Sequence, residues 1–302
     1  MRVAVTGAAG RLGRALVDAL GDAPFTGLSS PLAWTRAAFD LDHPASIADL
    51  LERDRPEVVV HAAAWTDVDG CAREPELAMR RNAEATRLLA EACAARGLDL
   101  VVVSTNEVFD GRRTDGFGYR PGDEPHPLNP YGLSKLAGEE AARRAYQALA
   151  GPAQVAIVRT AWLFGPGAPD FPSKILAAAE RALASGEPLR VVADEWGNPT
   201  YVVDLAEAIV ELLGSGEFAG THHVVNALAA TRADWARDVV ARAGLGVEVV
   251  GVPGASWPRA SSPPHWGVLE ATPLPSGEPL RPWRDAMADY APLLLRARAA
   301  SR

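Results

Sequence analysis

The sequence predicts an α/β fold: a doubly wound parallel sheet, Rossmann-like, with a smaller C-terminal lobe. Three observations carry this. A short apolar strand, Arg2 to Thr6, runs directly into the glycine turn Gly7-Ala8-Ala9-Gly10-Arg11-Leu12-Gly13 and an amphipathic run through Leu16, Val17 and Leu20. The runs Glu57 to His61 and Leu100 to Thr105 are dense in β-branched residues, the pattern of strands buried on both faces of a parallel sheet. Helical periodicity alternates with such runs along most of the chain. The expected division is a dinucleotide-binding domain over residues 1–165, to which 196–230 return, and a substrate-binding lobe over 166–195 and 231–302.

Charge and composition narrow the partners. A net charge of -8 argues against a nucleic-acid or membrane-surface binder, since both call for a basic footprint. An anionic small substrate then needs local arginines. Cys71 and Cys93 fall in helical stretches without metal-ligand spacing, so buried, reduced thiols are expected. No apolar run is long enough to span a bilayer, and the first strand leaves no room for a signal peptide. The expected compartment is the cytoplasm.

Strand, glycine turn and helix form a phosphate-binding arrangement. Small residues let the backbone approach a pyrophosphate, and the helix start turns free N–H groups towards it. Gly7, Gly10, Arg11 and Leu12 are the cofactor candidates here, although G-x-x-G-x-x-G also serves plain tight turns. A second strand is expected near Phe25 to Leu28, followed by Ser29 and Ser30, where an NAD-selective site places an acid on the ribose 2′-hydroxyl. Its absence leans towards NADP. Asp40 and Leu41 follow, with Asp40 either touching the adenosine end or capping the helix that carries Ile47, Leu50 and Leu51. Ala62, Ala63 and Ala64, directly after the third strand, leave room for a cofactor against backbone, or for tight helix packing.

A helix is expected from Pro75 to about Arg96, with Leu77, Leu88, Leu89 and Cys93 as core and Asn82 as a structural hydrogen-bonder. Thr105 ends the next strand, where a hydroxyl is placed to steady charge on a carbonyl. Asp110 to Leu128 reads as an exposed loop. Asn129 can cap a helix whose first turn suits Pro130. Four residues apart on that helix, Tyr131 and Lys135 share a face. The cation is expected to lower the phenol pKa and make Tyr131 a general acid. Lys135 and Lys174 are the only two lysines in a chain that otherwise uses arginine, and a guanidinium is no substitute for a compact ammonium. Further elements are expected at Val155 to Thr160, Lys174 to Ala184, Leu189 to Ala193, Val203 to Leu213, His222 to Val225 and after Thr231. From Gly251 to Trp283, eight prolines interleave with Trp257, Trp266 and Trp283, which reads as a packed, irregular lid.

The glycine turn, the three alanines, Thr105 and the Tyr131/Lys135 pair together resemble the extended short-chain dehydrogenase/reductase superfamily. Within it, Ala62 to Asp69, Arg159-Thr160-Ala161-Trp162 and Gly197-Asn198-Pro199-Thr200 resemble the dTDP-4-dehydrorhamnose reductase family nearly end to end. The resemblance implies NADPH, with NADH in some members, delivering hydride to C4 of a nucleotide-sugar while Tyr131 protonates the oxygen. It further implies Lys135 on the nicotinamide ribose, Thr105 on the keto group, and Val68 and Trp162 against sugar or thymidine.

One departure stands out. Where the family continues Thr-Asp-Tyr, this chain has Thr105-Asn106-Glu107, so Asn106 and Glu107 become candidate substrate contacts and the sugar is open. Related 4,6-dehydratases carry Thr-Asp-Glu and need an acid as well as a base; the Asn106 amide has no proton to give, so dehydration is rejected. The alternatives are another nucleotide-sugar oxidoreductase or epimerase, or a non-catalytic NADP-binding regulatory subunit. No metal is expected, because Ala15 stands in the first helix where some family members dimerise through magnesium and surface glutamates; monomer or homodimer is left open. Arg259 in the lid is a guess for the substrate diphosphate.

Overall fold

The computed structural model describes residues 1–27, 29–44, 47–149, 151–167 and 169–300. The chain opens with Val3–Thr6 (β1) and Arg11–Gly21 (α1), then Leu32–Trp34 (β2), Ile47–Asp54 (α2) and Val58–His61 (β3). Val68–Arg73 (α3) precedes a long helical stretch made of Pro75–Ala78 (α4), a π-helical turn at Met79–Glu84, and Ala85–Ala94 (α5). Asp99–Thr105 (β4), Pro130–Leu149 (α6), Val155–Thr160 (β5) and Leu163–Phe164 (β6) follow. Next come Phe171–Ser185 (α7), Leu189–Val192 (β7), Trp196–Gly197 (β8), Thr200–Tyr201 (β9) and Val202–Ser215 (α8). Gly220–His223 (β10), Ala230–Thr231 (β11), Arg232–Arg242 (α9), Val249–Val252 (β12) and Trp283–Ala300 (α10) complete the chain.

Six parallel strands make the central sheet in the order β10-β5-β4-β3-β1-β2. Side chains alternate across it, as the pleat requires. Val3, Val5, Val58, Val60, Val101 and Val103 face a core closed by α1 and α8. Ala4, Val59, Leu100 and Val102 face the opposite core, closed by α2, α5 and α6. Helices on both faces confirm the doubly wound reading. Because β2 and β3 lie on opposite sides of β1, a crevice opens at the carboxyl ends of β1 and β3. A separate apolar core gathers Ile175 and Leu176 of α7, Trp235 of α9, and Trp283, Met287 and Tyr290 of α10. No described helix is long and apolar enough to cross a membrane.

The structure corrects several sequence expectations. The second strand is Leu32–Trp34, not Phe25 to Leu28: Pro24–Thr26 is a single 3-10 turn between Pro24 and a left-handed Gly27, and Leu28 lies outside the described residues. Ser29 and Ser30 therefore precede the strand, and the residues following it are Thr35 and Arg36. The helix expected from Pro75 is interrupted by the π turn, and Leu77 and Leu88 are only half-buried. The loop from Asp110 is anchored rather than free, with Tyr119 buried and bridged to Leu269. β7 joins β12 in a two-stranded sheet apart from the main one. Trp283 starts α10, a helix not foreseen behind the proline-rich stretch, and Trp257 is exposed.

Behind the sheet's carboxyl edge lies a buried ion pair. Glu139 of α6 takes Arg159 of β5 through Nε at 3.0 Å and Nη2 at 2.7 Å, and also Ser104 Oγ at 2.5 Å. Burial alone would raise the Glu139 pKa, but Arg159 and Ser104 hold it below the ordinary value. Removing one partner leaves the other charge uncompensated. Glu139→Ala is expected to cost about 3–5 kcal/mol in chemical denaturation. Since the folded carboxyl titrates below the unfolded one, its contribution is complete above the unfolded value and fades as pH falls through the folded value.

Candidate active site

The crevice begins at the glycine turn. Gly7 has φ +66°, and a Cβ there would sit 2.9 Å from the Ala63 Cα. Only glycine lets β1 and the Ala62 to Ala64 backbone approach so closely. Gly10 precedes α1, its N–H donating to the Gly7 carbonyl at 2.8 Å. Leu12 turns its side chain into the core, while Arg11 reaches away to donate to the Gly165 carbonyl. A groove of about 300 Å³ opens beside the turn, lined by Gly7, Gly10, Arg36, Asp40, Leu41, Ala62, Ala63, Ala64, Trp65 and Arg81. Asp40 does not cap α2; its Oδ1 accepts the Asp42 N–H and its side chain borders the groove. Arg81, carried by the π turn, clamps Asp42 at 2.6 and 2.7 Å and lies 5.2 Å over the Trp65 ring.

The candidate reactive groups stand on β4 and α6. Asn129 Oδ1 accepts the Gly132 N–H and caps α6 as expected. Tyr131 and Lys135 are both buried on that helix, near Thr105 at the end of β4. Gly132 packs so tightly on the Glu107 carbonyl that a methyl there would overlap it. Val68, at the start of α3, packs beside Tyr131 and Cys71. The Tyr131 phenol is pushed above its usual range, by burial first and the Glu107 carboxylate second, against a hydrogen bond from Thr105. The lowering expected from Lys135 does not appear: burial and Glu107 set the direction. Lys135 falls to about 8 through burial, opposed by Glu139. Tyr131 thus enters any reaction as a protonated donor near neutral pH.

Asn106 and Glu107 divide the labour. The Asn106 amide donates to the Gly267 carbonyl at 3.0 Å. Glu107 receives Asn129 Nδ2 at 2.7 Å, and burial raises its pKa despite Asn129, Arg232 and Arg259. The segment around Gly267 covers the site as the proline and tryptophan content suggested. Four side chains tie it down: Asp69 to Ser261, Asn129 to the Ser262 carbonyl, Asn106 to Gly267, and Asn198 to the Leu269 N–H. Arg259, the guessed diphosphate ligand, is paired with Glu195. Trp162 lies between Arg232, 3.6 Å from its ring centroid, and a stacked Trp235.

A hydrogen-bond train that sequence reasoning missed joins groove and reactive helix. Thr86 Oγ1 donates its one proton to the Asn82 carbonyl, so it must accept from His61 Nε2–H. His61 Nδ1 is then bare and accepts from Thr6 Oγ1, which in turn accepts the Ala63 N–H. Asn82 holds both the N–H and the carbonyl of Trp65 and donates to Ser134 Oγ, which donates to the Tyr131 carbonyl. Asn82 is the structural hydrogen-bonder expected. His61 gave no signal beyond being a polar residue at the end of an apolar strand, whereas Arg36 becomes legible once β2 is placed correctly.

The arrangement places a buried phenol and ammonium on α6 and a hydroxyl at the end of β4, at the same sheet edge as the glycine-turn groove, which suits protonation of an oxygen beside a hydride donor. Among the described residues no three His, Cys, Asp or Glu side chains converge in a metal-binding group.

The chain matches the family described as RmlD substrate binding domain over residues 1–295. It is 36% identical to a dTDP-4-dehydrorhamnose reductase of Streptomyces griseus, with 96% of this chain and 93% of that protein covered. It is 35% identical to a dTDP-4-keto-6-deoxy-D-glucose reductase of Streptomyces niveus, with 96% of each covered. A solved dTDP-4-dehydrorhamnose reductase of Bacillus anthracis, in complex with NADP, superposes with a TM-score of 0.84 at 29% identity, over 96% of this chain and 98% of that one. With its motifs, its sheet order and nearly its whole length in agreement, the protein belongs to the RmlD substrate binding domain family.

Proposed function

We propose that this protein is an oxidoreductase that reduces the C4 keto group of a nucleotide-sugar with NADPH, dTDP-4-dehydro-L-rhamnose to dTDP-L-rhamnose being the first substrate to test. The observation that carries this is the burial of Tyr131 and Lys135 on α6 beside Thr105, at the carboxyl edge of the sheet where the glycine crevice ends. The activities named for the Streptomyces relatives support it. When bound, NADPH supplies the hydride. Thr105 orients the carbonyl, Tyr131 gives its proton to the oxygen, and Lys135 holds the ribose with its charge. Val68 and Trp162, both in the 1–165 segment, are taken as sugar or thymidine contacts that face a substrate-binding lobe formed by 166–195 and 231–302.

Cofactor choice rests on Arg36. It directly follows Thr35 after β2, the stretch that meets the adenosine ribose in this fold. Its guanidinium reaches Asp42 at 3.2 Å and Asp40 at 3.5 Å yet is largely exposed, so it can turn to a 2′-phosphate. NADP in the Bacillus anthracis relative agrees with this choice. A second reading, a different 4-keto sugar, is favoured by Asn106-Glu107 and by the Streptomyces niveus relative, whose named sugar differs.

Three outcomes are expected. With NADPH and dTDP-4-dehydro-L-rhamnose, Tyr131→Phe loses about 10²–10⁴-fold in kcat while cofactor affinity is kept; undiminished turnover would remove Tyr131 from the chemistry. Arg36→Ala weakens NADPH roughly 10–100-fold, the worth of a charge-assisted hydrogen bond, and leaves NADH unaffected; equal losses for both cofactors would reject the 2′-phosphate assignment. Finally, kcat/KM holds level below about pH 8 and declines above it as Lys135 sheds its proton. A profile flat to pH 10 would show that the Lys135 charge is not needed.

A further inference from the structure

The arginines around the cleft divide sharply by what they hold. Arg81 pairs with Asp42, Arg159 with Glu139, Arg259 with Glu195 and Arg281 with Asp204. Arg232, the first residue of α9, forms neither a hydrogen bond nor an ion pair with any described residue. Its guanidinium instead lies flat on Trp162, 3.6 Å from the ring centroid, with Phe171 5.3 Å away on another helix. Five N–H donors in a partly buried head-group without an acceptor are costly to keep.

Trp162 is itself held at a cost. Its φ is +46°, a left-handed conformation that a bulky side chain rarely adopts. The Thr200 N–H fixes its carbonyl at 3.2 Å, Trp235 stacks on it, and Gly197 leaves no room for a Cβ against its indole. Three separate elements thus maintain an unfavourable backbone under a guanidinium that has no hydrogen-bond acceptor among the described residues. Trp162 stands two residues past the end of β5, which pairs with β4 in a register that sets Thr160 beside Thr105. Arg232 lies within electrostatic reach of Glu107, the second residue after Thr105, and does not line the groove beside the glycine turn.

We propose that Arg232, seated on Trp162, is the anion anchor of the substrate cleft and takes the diphosphate of the nucleotide-sugar through paired N–H donors. Besides the sugar contact assigned to it above, Trp162 acts through Arg232 as a positioning residue for the diphosphate. This rests on the nucleotide-sugar reading above, and it moves the diphosphate from Arg259, whose partner is Glu195, to the arginine that lacks one.

Calorimetric titration of the full chain, with saturating NADP⁺ filling the dinucleotide groove, tests it with three probes: dTDP, thymidine and inorganic pyrophosphate. Arg232→Met is expected to weaken dTDP and pyrophosphate about 10–100-fold and thymidine less than about twofold. Arg232→Lys recovers part of the loss. Trp162→Leu weakens dTDP in the wild-type background and adds little in the Arg232→Met background, the coupling that a merely structural tryptophan would not show. Melting temperature and NADP⁺ affinity report on folding in each variant. The proposal is overturned if Arg232→Met binds dTDP as wild type does, or if it loses dTDP and thymidine equally. Wild type that binds pyrophosphate but no dTDP keeps the anchor and rejects the thymidine nucleotide; wild type that binds none of the three rejects anchor and substrate class together.

Discussion

The hydrogen-bond train through His61 is the constraint on which the site depends. It begins at the Ala63 backbone beside the glycine turn, passes through Thr6, His61, Thr86, Asn82 and Ser134, and ends on the carbonyl of Tyr131. Each hydroxyl along it donates once and accepts once, so the direction of every bond and the His61 tautomer follow from counting protons. Burial, with help from the Lys135 charge, pushes the His61 pKa down to about 3. The imidazole therefore stays neutral across the working range of pH, and the train does not change polarity. A histidine here is a rigid two-ended connector between β3 and the helix that packs on it.

Around this frame, burial decides the electrostatics. Simple proximity of Tyr131 and Lys135 on one helix face argues for an acidified phenol, yet desolvation raises Tyr131 and lowers Lys135. The neighbouring acids fare differently from each other. Glu139 has a bidentate arginine and a serine and stays ionised, whereas Glu107 has one amide at hydrogen-bond distance and is raised. Two carboxylates on either side of the same helix are thus set apart by how many donors reach them.

Much of this was readable beforehand, for identifiable reasons. The β-branched strands, the glycine turn and the capped helix at Asn129 are local patterns with strong physical causes, and each appears where the pattern put it. Thr105, Tyr131 and Lys135 could be named because strand ends and i,i+4 spacing are themselves local. What escaped notice depended on distant partners. β2 is three residues long and was hidden by the apolar Phe25 and Thr26, which Pro24 and Gly27 bend into a turn. The π turn that delivers Arg81 and Asn82 leaves no mark in residue type. Arg232 looked like any helix-start arginine until its lack of a partner became visible. α10 was masked by the proline-rich run before it and by Pro292 inside it.

The cover and the candidate site share their fastenings. Asn106 and Asn129 grip both the cover and the catalytic frame: one adjoins Thr105, the other caps the helix of Tyr131 and holds Glu107. A change at Asn129 therefore reaches the cover, the Glu107 carboxyl and the start of α6 at once.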